Sequence, residues 1–244
     1  MITQQQVQTA LQVIFPPRCV GCGDLVGTDF HLCGTCWAAT PFIGGVACDA
    51  CGMPLPGHFS DTHVQCDDCL NTPRAWVQGR AVLLYEGHAR QMVLRLKHGD
   101  RHEFARPAGH WMAEAAKPLI TKDTILCPVP LHWSRLLRRR YNQTVLLADV
   151  IARQLGIQLI PDLLIRTRAT RAMEGMTKPQ RIANLRASMA PNPKFARQIK
   201  DANILLVDDV MTSGATFAAA SEACLAAFAS QVNVIALARV AKLP

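Results

Sequence analysis

The scarcities of this chain set its class. Charged residues make up only 18% of the 244 and aromatic residues 6%. Glycine and proline number 15 each and half of the residues are apolar, so a collagen-like or disordered chain is excluded and a packed core is expected. Uninterrupted hydrophobic runs of membrane length are missing. The most apolar region, Phe217 to Ala238, is broken by Ser221, Glu222, Ser230, Gln231 and Asn233, which a bilayer interior penalises. The stretch before Pro16 has no lysine or arginine, lacks the features of a secretory leader, and reads as a short helix. A soluble, cytoplasmic protein without membrane insertion is expected. No Gly-Lys-Ser/Thr word occurs, which excludes a Walker phosphate loop, and glycines are too few for a dinucleotide fingerprint.

Positive charge is also scarce at the front. From Met1 to Gln78 only Arg18 and Arg74 oppose Asp24, Asp29, Asp49, Asp61, Asp67 and Asp68. The formal excess of +8 resides instead between Ser134 and Arg186, where eleven basic residues face Asp149, Asp162 and Glu174. Such a concentration favours a polyanionic partner, either a phosphate compound or nucleic acid.

Cysteine is abundant. Eight of the ten cysteines form four Cys-x-x-Cys pairs, Cys19/Cys22, Cys33/Cys36, Cys48/Cys51 and Cys66/Cys69. In a reducing compartment such pairs more often hold metal than disulfides, and two pairs complete the tetrahedral shell of a structural Zn²⁺ site. Redox chemistry needs one such pair, and iron–sulfur spacings differ. Two zinc ions are therefore expected. Two tandem ribbons are the simplest arrangement, and a cross-brace pairing Cys19/Cys22 with Cys48/Cys51 satisfies the same spacing. Gly23 and Gly52 follow the knuckles, where positive φ lets amides turn toward sulfur. With eight sulfurs available, His58 and His63 read as loop residues. Few large apolar side chains occur in this region, so metal ligation is expected to supply most of its folding free energy.

After Gly79 the pattern changes to alternating strands and helices. Arg80 to Tyr85, Ile125 to Val129, Ile157 to Ile160, Ile204 to Val207 and Val232 to Leu237 read as strands. Ala89 to Lys97, Ser134 to Leu155 and Phe217 to Ala229 read as helices. This alternation predicts an α/β fold with a mostly parallel sheet covered on both faces. The expected division is 1–78 for the N-terminal helix and double ribbon and 79–244 for the α/β domain. Cys127 and Cys224 read as buried small apolar residues.

One word carries chemistry: Ile204-Leu-Leu-Val-Asp208-Asp209-Val-Met-Thr212-Ser213-Gly214-Ala215-Thr216. It places an acidic pair at the carboxyl end of a strand, where open α/β sheets bind ligands. The hydroxyls of Thr212, Ser213 and Thr216, the permissive Gly214, and the free amides at the start of the next helix suit a phosphate. The carboxylates suit sugar hydroxyls. Phosphate plus ribose is the implied ligand, and the arrangement resembles the phosphoribosyl-diphosphate signature of type I phosphoribosyltransferases.

With the cysteine-rich front included, almost the whole chain resembles the ComF/GntX family, a double zinc ribbon joined to a phosphoribosyltransferase-like domain. Supporting words are the four cysteine pairs, Leu96-Lys97 after Tyr85-Glu-Gly87, Pro128-Val-Pro-Leu131, Arg140-Tyr-Asn-Gln143, Arg166-Thr-Arg-Ala-Thr170 and Arg181 to Asn184. The resemblance implies that Asp208 and Asp209 hold the ribose hydroxyls, with Mg²⁺ accompanying phosphoribosyl diphosphate. Thr212, Ser213, Gly214, Ala215 and Thr216 would enclose the 5′-phosphate, and Pro130, Leu131 and His132 would meet the pyrophosphate. A mobile loop would carry Arg166, Arg168, Lys178 and Arg181. Two functional classes follow: a phosphoribosyltransferase acting on a nitrogen acceptor, or an accessory protein of DNA uptake that contacts single-stranded DNA, its transferase fold serving as a sensor. Trp76, Trp111, Trp133 and Tyr141 are the aromatic candidates for stacking on a base.

Overall fold

The structure is a computed structural model and describes residues 15–57, 63–98, 102–131, 141–167, 177 and 188–241, residue 98 without its side chain. The expected helix before Pro16, together with His58, His132, Trp133, Arg138 to Arg140, Arg168, Lys178 and Arg181, lies outside the described residues.

Short helices α1 (Gly34–Ala38) and α2 (Asp67–Asn71) belong to the cysteine-rich front. The α/β part opens with β1 (Gly79–Leu84), α3 (Gly87–His98), α4 (Ala105–Ala116), β2 (Thr124–Pro128), α5 (Gln143–Leu155) and β3 (Gln158–Leu159). It continues through the hairpin strands β4 (Leu164–Arg166) and β5 (Met189–Pro191), then α6 (Ala196–Ile199), β6 (Asn203–Met211), α7 (Ala215–Ala226) and β7 (Gln231–Arg239). The main sheet runs β1-β7-β6-β2-β3, and every pairing in it is parallel. β4 and β5 form a separate antiparallel pair.

β6 sits centrally, in register with β2 from Thr124↔Asn203 to Pro128↔Val207 and with β7 from Asn203↔Gln231 to Met211↔Arg239. Its side chains alternate between two apolar cores, as a sheet buried on both faces requires. Ile204 and Leu206 join Cys127, Phe217 and Cys224 on the α7 face. Leu205 and Val207 join Leu96, Met112, Leu147 and Ile151 on the face covered by α3, α4 and α5. The ribbons feed different cores: Cys48, Cys51, Cys69 and Trp76 belong to the first, Val20 to the second. The edge of β1 is covered by residues 41 to 43, where Phe42 bridges Leu83 antiparallel and Ile43 N–H donates to the Val82 carbonyl at 2.8 Å. Covering this edge removes a row of unpaired amides from solvent.

Two expectations are corrected. The helix expected from Ser134 starts, among the described residues, at Gln143, because extended Asn142 caps it by accepting from Thr144 N–H. It ends at Gly156, in the left-handed region at φ 66°. The strand expected over Ile157 to Ile160 pairs at only two residues, since Pro161 cannot continue a ladder.

Candidate functional site

The eight front cysteines form two tandem sets, Cys19, Cys22, Cys33, Cys36 and Cys48, Cys51, Cys66, Cys69, with the four sulfurs of each within 4.8 Å of one another. The cross-brace alternative is not formed. Cys22 Sγ lies 3.7 Å from Cys33 Sγ, and Cys51 Sγ 3.7 Å from Cys66 Sγ. A tetrahedral Zn–S distance of about 2.3 Å sets sulfurs about 3.8 Å apart, so both sets fit zinc. The knuckle glycines adopt the expected positive φ, 90° at Gly23 and 67° at Gly52. Amides serve the sulfurs: Cys33 N–H donates to Cys19 Sγ at 3.2 Å and Cys36 N–H to Cys33 Sγ at 3.4 Å. Burial opposes ionisation of Cys19, but the amides of Cys22, Cys33 and Gly21 bring its thiol down to about 6. The Cys51 thiol, donating to Cys48, takes Cys48 down to about 4. Both are readied as thiolate ligands. Cys127 and Cys224 are fully buried in the α7-side core, where burial pushes both thiols up, that of Cys224 to about 12.

The acidic pair emerges near the carboxyl end of β6. Asp209 is 5% exposed, and a buried carboxylate needs partners. Lys97 Nζ, from the last turn of α3, lies 3.0 Å from its Oδ1. Gln143 Nε2, from the first position of α5, donates to its Oδ2 at 2.6 Å. Asp208 Oδ1 accepts from the Asp209 amide at 2.8 Å. Beyond the pair, Thr212, Ser213 and Thr216 are partly exposed, and Gly214 adopts φ 80° and starts α7 with no side-chain cap. The first amides of α7 therefore depend on Ser213 Oγ, 3.4 Å from Ala215 N, or on a ligand.

The turn is packed from behind by side chains of the second ribbon. A Cβ on Gly214 would stand 2.9 Å from Trp76 Cη2, so only glycine satisfies both the backbone angle and the contact. Trp76 donates its Nε1–H to the Ala50 carbonyl at 2.5 Å and meets Phe217 edge-on at 6.0 Å. Arg74 Nη1 donates to the Ser213 carbonyl at 3.0 Å. Arg239 Nη1 donates to the carbonyls of Met211 at 3.2 Å, Val240 at 2.7 Å, and Thr212.

Of the other expected residues, Pro130 and Leu131 leave β2 beside β6, where Val129 N–H donates to the Val207 carbonyl at 2.8 Å. Arg166 ends β4 and acts on the charge of Asp208. The aromatic candidates among the described residues are engaged elsewhere. Trp76 lies under the turn, Trp111 packs edge-on against Phe42 and Phe104, and Tyr141 donates to the Leu96 carbonyl. Sequence reasoning assigned no role to Arg74, Lys97, Gln143 or Arg239. Lys97 and Gln143 lie in words that carry the family resemblance, whereas the two arginines had no local signal.

Burial, with Asp209 beside it, pushes the Asp208 carboxyl up to about 7 despite the Asp209 amide, Lys97 and Arg166 favouring its charge. The folded chain thus holds this proton more tightly than the unfolded chain. The stability from this group is complete below about pH 4 and is lost as pH rises through about 7. Asp208→Asn, which keeps the oxygen that accepts from Asp209, is therefore expected to raise ligand-free stability at pH 8 by about 2 kcal/mol and to have little effect at pH 4. Melting curves at both pH values check this, and a lower melting temperature for Asp208→Asn at pH 8 would sink it.

The family model of the double zinc ribbon domain matches residues 10–70. The chain is 30% identical over 198 residues to the DNA utilization protein YhgH of Salmonella typhi, covering 79% of this chain and 83% of that one. It is 26% identical over 199 residues to the competence protein ComFC of Bacillus subtilis strain 168, covering 79% and 77%. Among solved structures, adenine phosphoribosyltransferase from Thermoanaerobacter pseudethanolicus matches 61% of this chain and 84% of that one, at 15% identity and a TM-score of 0.35. Two four-cysteine sites beside a wholly parallel five-stranded sheet define the class: an α/β protein with an N-terminal double zinc ribbon. The chain belongs to the ComF family.

Proposed function

We propose that this chain binds phosphoribosyl diphosphate at the carboxyl edge of its sheet and transfers the phosphoribosyl group to a nitrogen acceptor, releasing pyrophosphate. The observation that carries the reading is the acidic pair of β6, Asp209 buried and Asp208 partly exposed, followed by the hydroxyl-bearing turn and the start of α7 without a side-chain cap. Asp208 and Asp209 accept hydrogen bonds from the ribose hydroxyls, and Thr212 to Thr216 hold the 5′-phosphate with backbone amides and hydroxyls. Pro130, Leu131 and His132 meet the pyrophosphate, and Arg166 with Arg168, Lys178 and Arg181 neutralises it as it leaves. The nitrogen lone pair forms the new bond to C1′ as the bond from C1′ to pyrophosphate oxygen breaks. Pyrophosphate takes that electron pair, and the nitrogen gives up its proton. Charge stabilisation and positioning lower the barrier to this step. The carboxylate oxygens of Asp208 suit Mg²⁺, a hard cation, which would supply charge neutralisation between ribose and pyrophosphate. The division between 78 and 79 is part of the proposal, supported by β1 beginning at Gly79.

Calorimetry with phosphoribosyl diphosphate and Mg²⁺ on zinc-loaded protein is the test. Micromolar binding is expected, with a loss of at least tenfold in Asp208→Asn/Asp209→Asn. Equal binding by that variant would remove the ribose assignment.

The basic excess between Ser134 and Arg186, and relatives named for DNA utilization and competence, favour a second reading as an accessory protein that binds single-stranded DNA. An absence of heat with phosphoribosyl diphosphate would leave this second reading standing. Among the described residues no helix is long and apolar enough to cross a membrane, and a cytoplasmic location is part of the proposal.

A further inference from the structure

The second zinc site and the phosphate turn are joined by three side chains, Arg74 and Trp76 from the stretch that follows the second ribbon and Arg239 from the end of β7. Arg74, its side chain 7% exposed, donates from Nε to Cys69 Sγ at 3.2 Å and from Nη1 to the Ser213 carbonyl at 3.0 Å, while Nη2 pairs with Asp68. Arg239, 4% exposed, donates from Nη1 to the Thr212 carbonyl and places Nη2 3.9 Å from Cys51 Sγ. Trp76 hangs from the Ala50 carbonyl, between ligands Cys48 and Cys51, and its ring fills the space beside Gly214.

The consequence follows from peptide geometry. A guanidinium is a rigid planar fork, so a sulfur held by Arg74 fixes the Ser213 carbonyl as well. In a trans peptide the carbonyl and the next N–H point in opposite directions. Drawing the Ser213 carbonyl toward Arg74 therefore turns the Gly214 N–H away from the ribbon, and drawing the Thr212 carbonyl toward Arg239 does the same for Ser213 N–H. Charge follows the same route. A four-thiolate zinc site carries two negative charges that would repel a phosphate, and two buried arginines stand between that site and the turn to offset them.

We propose that Arg74 and Arg239 are positioning residues that fix the phosphate-binding shape of the 212–216 turn and do so only while zinc holds Cys51 and Cys69 in place. The ligand part of this inference rests on the phosphoribosyl diphosphate reading, whereas the coupling of metal to turn does not.

Two measurements on the full-length, zinc-loaded protein test it. The first is amide hydrogen exchange of peptides covering 211–218 without ligand, comparing wild type with Arg74→Met and Cys69→Ser. Exchange is expected to rise at least tenfold in both variants, with zinc content staying at two per chain in Arg74→Met and falling to one in Cys69→Ser. Protection over Cys19 to Cys36 should persist, which shows that the variants remain folded. Unchanged exchange over 211–218 in either variant overturns the coupling. The second is calorimetry with phosphoribosyl diphosphate and Mg²⁺. Affinity is expected to fall ten- to hundredfold in Arg74→Met, roughly the worth of one charge-assisted hydrogen bond. The double variant Arg74→Met/Cys69→Ser should lose no more than Cys69→Ser alone, because both substitutions cut one linkage. Wild-type affinity in Arg74→Met, or fully additive losses, overturns the positioning role. If the wild type itself shows no heat, the phosphoribosyl diphosphate reading fails, and the exchange result alone decides the coupling.

Discussion

Removing zinc with a strong chelator is expected to unfold the second ribbon and to shift the fluorescence of Trp76 to the red, with recovery on adding Zn²⁺. Trp76 is 5% exposed, wedged between the Ala50 carbonyl and Phe217. Its environment exists only while residues 48 to 69 keep their shape. Fully buried side chains in that ribbon are few, and Cys48, Cys51 and Cys69 are themselves members of the core. Zinc binding by such sites is worth about 10–16 kcal/mol in isolated peptides at neutral pH, comparable with or above the whole stability of an ordinary domain, about 5–15 kcal/mol. Part of this contribution reaches the α/β sheet through Ala50, Cys51 and Trp76, so the main melting transition should also move to lower temperature. Ligand-free thiols bind protons, so zinc release should become easier as pH falls. An emission maximum and a melting temperature that ignore chelator, with zinc loss verified by metal analysis, would show that the ribbon stands on its own packing.

The second large effect is expected from Lys97→Met. This substitution keeps most of the aliphatic stem and removes the charge 3.0 Å from Asp209. Breaking a buried pair from one side leaves a carboxylate at 5% exposure without its cation, and such a loss typically costs about 3–5 kcal/mol. Gln143 still donates at 2.6 Å, but a neutral amide recovers only part of that. Asp209 acts upward on the lysine in turn: burial opposes the ammonium, yet Asp209 and then Asp208 hold its pKa above the usual value. The stabilising contribution of the lysine is therefore complete at neutral pH and lost only in strong alkali. Chemical denaturation at pH 7 measures the loss. Adding Asp209→Asn to Lys97→Met should restore most of the stability, since no buried charge then lacks a partner. A Lys97→Met protein as stable as wild type would show that Asp209 takes up a proton or solvent at little cost.

The structural side of this site was legible where chemistry depends on near neighbours. Four Cys-x-x-Cys pairs announced two four-thiolate sites because two cysteines separated by two residues grip one ion from a single turn. The order of strand, acidic pair, hydroxyl turn and helix was readable from Ile204 to Thr216 for the same reason. Gly214 and the knuckle glycines could be singled out because positive φ is a local demand. The helix read as continuous from Ser134 to Leu155 is interrupted at Asn142, whose capping role competes with the apolar pattern, while residues 134 to 140 lie outside the described residues.

Other features had no local signature. Arg74 lies in the stretch between ribbon and sheet, which reads as a connection, yet its partner Ser213 is 139 residues away. Arg239 closes the last strand and reaches toward Cys51 across 188 residues. Gln143 lies in a word that carries the family resemblance, but that word does not mark its reach to Asp209, 66 residues away.

Sequence alone determined the metal chemistry, the parallel α/β class and the acidic turn, because each is written in spacings of a few residues and in the periodicity of burial. Tertiary structure decided the tandem grouping of the cysteines, the core that each ribbon feeds, and the pairing of Lys97, Arg74 and Arg239 with the site. Those outcomes depend on strand order and register, which bring distant segments within hydrogen-bond reach and leave no periodic mark on any one segment.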